Sequence, residues 1–123
     1  LQLEGATFSG VEHRDGMIAI HVTGAESYSE ASVEEFPATI CIVDGQVVGN
    51  VPRPGCIEEV SLLSPGVGSW HVYVVLPFAL SGTCTAELVL TSGESLRVEG
   101  RGLYVEHGCP STQYSVTPAA DGA

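Results

Sequence analysis

The chain has 123 residues, a formal charge of −11 and four basic residues, all of them arginine (Arg14, Arg53, Arg97 and Arg101). So few cations exclude a nucleic-acid-binding role, which needs positive charge to displace phosphate counterions, and argue equally against anionic membrane surfaces. The 44% hydrophobic content is enough for one domain with its own core, and no apolar run approaches the roughly 20 residues a membrane-spanning helix needs.

Two-residue alternation runs through most of the chain. The opening segment "ATFSGVEH" (6–13) is set to pair with "MIAIHVT" (17–23) through an Asp15-Gly16 turn. The second segment puts Ile18, Ile20 and Val22 on one face and Met17, Ala19, His21 and Thr23 on the other. A stretch rich in glutamate, "ESYSEASVEEF" (26–36), follows. As a helix it would stack Glu26, Glu30 and Glu34 at a spacing where like charges repel, so the pattern predicts a loop over 24–36 with at most one turn. From Gly16 to Pro52 there is no arginine or lysine, while Glu26, Glu30, Glu34, Glu35 and Asp44 fall inside. These four glutamates are candidate contacts for a basic protein surface. Calcium is the weaker reading, because calcium loops usually place Asp or Asn at tightly alternating positions.

Further strands are expected over 38–44, 58–64, 69–77, 84–92 and 95–106, bounded by the turn signals "DGQ", "SPGVGS", "LSG" (80–82) and "SGE". Ser92-Gly93 is expected to close a hairpin between the last two. Between Asn50 and Cys56 lies "NVPRPGC", a stiff, proline-framed loop that projects Arg53 as a recognition tip. The segment "WHVYVVLPF" (70–78) is apolar on both faces. One face can meet the core while the other meets a partner, with Trp70 and Tyr73 as contacts. The tail, residues 109–123, is small, polar and expected to be loosely held unless a neighbour pins it. Because the chain begins at Leu1 and shows no signal peptide, it reads as a trimmed or excised piece of something longer.

No catalytic constellation is legible. There is no C-x-x-C, no G-x-S-x-G and no glycine-rich phosphate loop, and the four histidines (His13, His21, His71 and His107) show no metal-binding spacing. Cys41 and Cys84 read as small buried hydrophobes, whereas Cys56 and Cys109 sit in loops. In a reducing cell no disulfide is expected. In an oxidising compartment Cys41–Cys84 or Cys56–Cys109 would be the pairing.

The sequence therefore predicts an all-β, antiparallel β-sandwich of seven or eight strands, immunoglobulin-like in architecture, over residues 1–108, followed by the tail. The expected function is a non-catalytic protein–protein interaction or assembly domain. It would belong to a larger protein or complex, bind a protein partner or itself, and carry no cofactor or metal. The alternative is a small carbohydrate- or metal-binding module using Trp70, Tyr73 and Tyr104 as a platform.

Overall fold

The computed structural model describes residues 1–28, 32–64, 67–70, 78–108 and 112–115, of which 67–70 and 112–115 are described as backbone. All the regular structure in these residues is strand. The nine strands are β1 (Thr7–Arg14), β2 (Met17–Tyr28), β3 (Ser32–Val43), β4 (Gln46–Val48), β5 (Gly55–Ser64), β6 (Val67–Trp70), β7 (Phe78–Leu90), β8 (Ser95–His107) and β9 (Thr112–Ser115).

Every pairing is antiparallel, and all nine strands belong to one sheet. The sheet also returns on itself. β1 pairs with β2, β2 with β3, β3 with β8, β8 with β7, β7 with β5, and β5 again with β1. The result is a six-stranded ring with β4, β6 and β9 as short additions. The all-β, antiparallel expectation is met. The two separate stacked sheets are not found, so an immunoglobulin-like arrangement is not shown.

Closure depends on bends that the alternation does not announce. The β1–β2 register shifts between Phe8 and Gly10, the β2–β3 register between Val22 and Ala25, and the β7–β8 register between Ser81 and Cys84. Gly24 and Gly82, at two of these bulges, have φ of 73° and 78°, a conformation that costs a side-chain-bearing residue but not glycine. The "LSG" expected as a turn is thus a bulge inside the long strand β7. In the same way β2 and β3 run past Thr23 and begin before Ala38, so residues 25–28 and 32–36 form a paired arm where a loop was expected.

Two hairpins form at the expected turns. Asp15 and Gly16 both have positive φ (23° and 75°), as a tight two-residue turn requires. At the other, Gly93 N–H donates to the Leu90 carbonyl (2.9 Å) and Leu90 N–H to the Glu94 carbonyl (2.8 Å).

The apolar faces point into the ring. Phe8, Ile18, Ile20, Val22, Ile40, Ile42, Ile57, Leu62, Leu88, Leu90, Leu96 and Val98 are almost wholly buried in one cluster, with Leu1 and Leu3 packed into the same core. Ile18, Ile20 and Val22 share the inner face as the alternation predicts, and so do Cys84, Ala86, Leu88 and Leu90. Exposed or half-exposed Glu59, Glu87, Arg97 and Glu99 point outward, the reverse of a membrane-spanning barrel. Among the described residues no helix is long and apolar enough to cross a membrane.

Two features of β3 and β8 set the shape around the candidate sites. β3 pairs with β8 as far as Ala38↔His107 and resumes with β9 at Glu35↔Thr112. The break falls at Pro37, which has no N–H for the ladder; its carbonyl instead accepts from Gly108 N–H at 2.8 Å. β8 in turn exchanges partners, pairing with β4 over Arg97–Glu99 and with β3 from Gly102 onward. Gly100 lies at that handover beneath the β3 end, where a Cβ would stand 2.3 Å from Ile42 Cγ2 and 2.5 Å from the Val43 carbonyl oxygen.

Candidate functional site

Three of the four glutamates singled out from the sequence lie on the arm, Glu26 and Glu35 on one face and Glu34, by strand alternation, on the other. The register places Glu26 opposite Glu35 and Ser27 opposite Glu34, while Tyr28 faces Val33. On the outer edges the bridge Gln2↔Glu26 and strand β9 (Glu34↔Gln113, Glu35↔Thr112) extend the ribbon. Tyr28, about half exposed, donates from its hydroxyl to Glu26 Oε1 at 2.7 Å. Like charges directly opposite across a ladder repel, so the Glu26–Glu35 pairing places a local cost on the arm. Glu30 lies outside the described residues.

The remaining sequence candidates fall elsewhere. Arg53 sits in the segment between β4 and β5 with its side chain 89% exposed, and pairs with Glu94 of the β7–β8 turn at 3.6 Å. This segment and that turn flank an open groove of about 430 Å³ lined by Val48, Val51, Pro52, Glu94 and Arg97 among others. Trp70 is in β6, opposite Leu62 of β5. Tyr73 lies outside the described residues, as do His71 and Cys109.

A second cluster escaped the sequence reading. On the outer face of β1, β2, β3 and β8 the register aligns Glu12, Ala19, Cys41 and Tyr104 in one row. Met17 stands two residues from Ala19 on the same face, and Arg14 is opposite it. Glu12 accepts from Arg14 (2.9 Å) and shares a 2.8 Å hydrogen bond with the His21 ring. These two neighbours, Arg14 foremost, hold the Glu12 carboxyl below the usual glutamate range. Tyr104 donates from its hydroxyl to Met17 Sδ at 3.2 Å and is the ladder partner of Cys41. Cys41 has no exposed surface, and burial pushes its thiol pKa up against the smaller, opposing effect of Tyr104. The available signal was that Met17, Ala19 and His21 share a face. Which β3 and β8 residues join them depends on register, which alternation leaves open.

Cys41, Cys56 and Cys84 are free thiols, so the Cys41–Cys84 pairing does not form. Among the described residues no three of His, Cys, Asp and Glu come together in a metal-binding group. Comparison with protein-family models, curated proteins and solved structures finds no match.

Proposed function

We propose that this chain is a non-catalytic interaction domain, part of a larger protein or assembly, which presents its β2–β3 arm to a basic protein surface. The observation that carries the reading is the arm's register. It collects Glu26, Glu34 and Glu35 on one ribbon within a stretch, residues 16–52, that has no arginine or lysine. A ribbon of hydrogen-bonded strands holds these charges in fixed relative positions, so a cationic partner meets a defined pattern rather than a fluctuating tail. The field of the whole molecule, at −11, steers such a partner toward it. In this reading the ring is a flattened barrel whose β1–β2–β3 and β5–β7–β8 walls pack face to face through one core, which is the sense in which a sandwich description applies.

Titration calorimetry with an arginine-rich peptide, at low and at physiological salt, tests the assignment. Binding is expected to weaken as salt rises. It is expected to be lost in Glu26→Gln/Glu34→Gln/Glu35→Gln and kept in Glu58→Gln/Glu59→Gln, which removes exposed charge from β5. Equal binding by the two variants would show that overall acidity, and not the arm, attracts the probe.

A further inference from the structure

We infer that the Asp15–Gly16 peptide is a modification site, at which the chain rearranges without an enzyme to an isoaspartyl linkage. Aspartate followed by glycine favours this reaction, because glycine puts no side chain in the way of its own amide nitrogen. The described residues contain the pair twice, at Asp15-Gly16 and Asp44-Gly45, and both aspartates have positive φ (23° and 51°). What separates the two is the room around the glycine. Gly16 is exposed at the tip of the β1–β2 hairpin, beyond the closing pair Arg14↔Met17. Among the described residues its N–H makes no hydrogen bond, and a Cβ built on it would meet only Asp44 Oδ1 at an ordinary 3.8 Å. No ion pair or hydrogen bond among the described residues holds the exposed Asp15 carboxylate away from that nitrogen. Gly45 is wedged instead. A Cβ there would stand 2.8 Å from Ile18 Cγ1 and 3.0 Å from the Ile42 carbonyl oxygen, and Gly45 Cα lies 3.3 Å from where a Gly100 side chain would begin. Bringing Asp44 Cγ onto the Gly45 nitrogen means turning the peptide between them, and packed atoms block that turn.

The reaction needs no reagent but water. The Gly16 nitrogen attacks Cγ of the protonated Asp15 carboxyl. A C–N bond forms, the bond from Cγ to the hydroxyl breaks, and the hydroxyl leaves with the amide proton as water. Water then reopens the resulting succinimide ring. Opening at the side-chain carbonyl restores aspartate. Opening at the former main-chain carbonyl routes the chain through Cβ and Cγ and frees the old carbonyl as a carboxylate. Mass and oxidation state are unchanged, but the backbone is longer by a single carbon. A two-residue hairpin turn tolerates few backbone paths, so the closure at Arg14↔Met17 is disturbed first. The bond from Asp44 N–H to the Gly16 carbonyl (2.7 Å), which ties the hairpin tip to the end of β3, is disturbed with it.

The test ages the full chain for weeks at neutral pH, folded in buffer and unfolded in guanidinium chloride. Cleavage after glutamate then places Asp15 and Asp44 in separate peptides, residues 13–26 and 36–58. Isoaspartate in each is counted by mass spectrometry after enzymatic methylation specific for isoaspartyl carboxyls. In the folded protein it is expected to accumulate several-fold faster in 13–26 than in 36–58. In denaturant, where neither glycine is packed, the two rates are expected to converge. Asp15→Glu, which must close a larger and slower-forming ring, is expected to remove the label from 13–26. The comparison within the unaltered chain stands on its own should glutamate at a positive φ weaken the turn. The inference is overturned if folded Asp44 isomerises as fast as Asp15, if the same difference persists in denaturant, or if the label survives in Asp15→Glu.

Discussion

Replacing Gly100 with alanine tests the crossing that closes the ring. At this point β8 leaves β4 for β3, and the end of β3 lies across it. The added Cβ would stand 2.3 Å from Ile42 Cγ2, 2.5 Å from the Val43 carbonyl oxygen and 3.3 Å from Gly45 Cα. Carbon atoms pack best at about 3.5–4.0 Å, so the β3 end must withdraw by roughly 1 Å. It is poorly placed to do so. Ile42 is wholly buried, its neighbours are held by the pairs Ile42↔Leu103 and Val43↔Gly102, and Asp44 N–H donates to the Gly16 carbonyl at 2.7 Å. Overpacking of this kind costs about 1–3 kcal/mol, and more where backbone must move. The loss of unfolded-state freedom on going from Gly to Ala offsets about 0.4–1 kcal/mol. With the cost at the upper end of that range, a net loss of about 2 kcal/mol is expected, a large part of the roughly 5–15 kcal/mol that holds a domain folded. For a chain of this length that lowers the melting temperature by about 10 °C. Urea unfolding followed by far-ultraviolet circular dichroism measures it. Gly55→Ala is the matched control, because a Cβ there meets only Leu90 Cδ1 at an ordinary 3.8 Å. A Gly100→Ala protein as stable as Gly55→Ala would refute the crossing.

Three more outcomes are expected. Phe8 is wholly buried where β1 meets β5, so Phe8→Ala should cost about 3–5 kcal/mol by the same urea assay. Glu26→Gln keeps an acceptor for the Tyr28 hydroxyl while removing the repulsion across from Glu35; it should stabilise the fold by about 0.2–1 kcal/mol at low salt, with the gain fading at high salt. The pH profile should show both signs of linkage. The Glu12 carboxyl is held low by Arg14 and His21, so its contribution is present above the ordinary glutamate pKa and is lost as pH falls through the lowered one. The Cys41 and Cys84 thiols are held high by burial, so their contribution is complete below the ordinary thiol pKa and is lost as pH rises through the raised one. Cys41→Ala/Cys84→Ala should flatten the alkaline limb of a melting-temperature profile and leave the acid limb to Glu12→Gln.

The glutamate-rich stretch shows how local reasoning went astray. Its charges do oppose a helix, but they do not thereby make a loop. The pairs Ala25↔Phe36 and Tyr28↔Val33 continue the β2–β3 ladder through it, and β9 lies along its far edge. Phe36 packs against the core, and Val33 and Ala25 are buried, so apolar positions within the stretch anchor it despite the glutamates. The "LSG" segment is the converse case. Gly82 reads locally as a strand end, yet its positive φ only kinks β7, which runs on from Phe78 to Leu90.

What the amino-acid order determined by itself is what depends on near neighbours. The strand rhythm, the inward set Ile18, Ile20 and Val22, and the tight turns at Asp15-Gly16 and Ser92-Gly93 each follow from side-chain alternation or from backbone freedom at one or two residues. What only the tertiary structure decided is which strands lie side by side and in what register. The return of β5 to β1, the handover at Gly100, and the meeting of Met17, Cys41 and Tyr104 join residues as many as 87 positions apart. A period of two is satisfied equally well by many pairings, and the choice among them falls to the closing of one shared core.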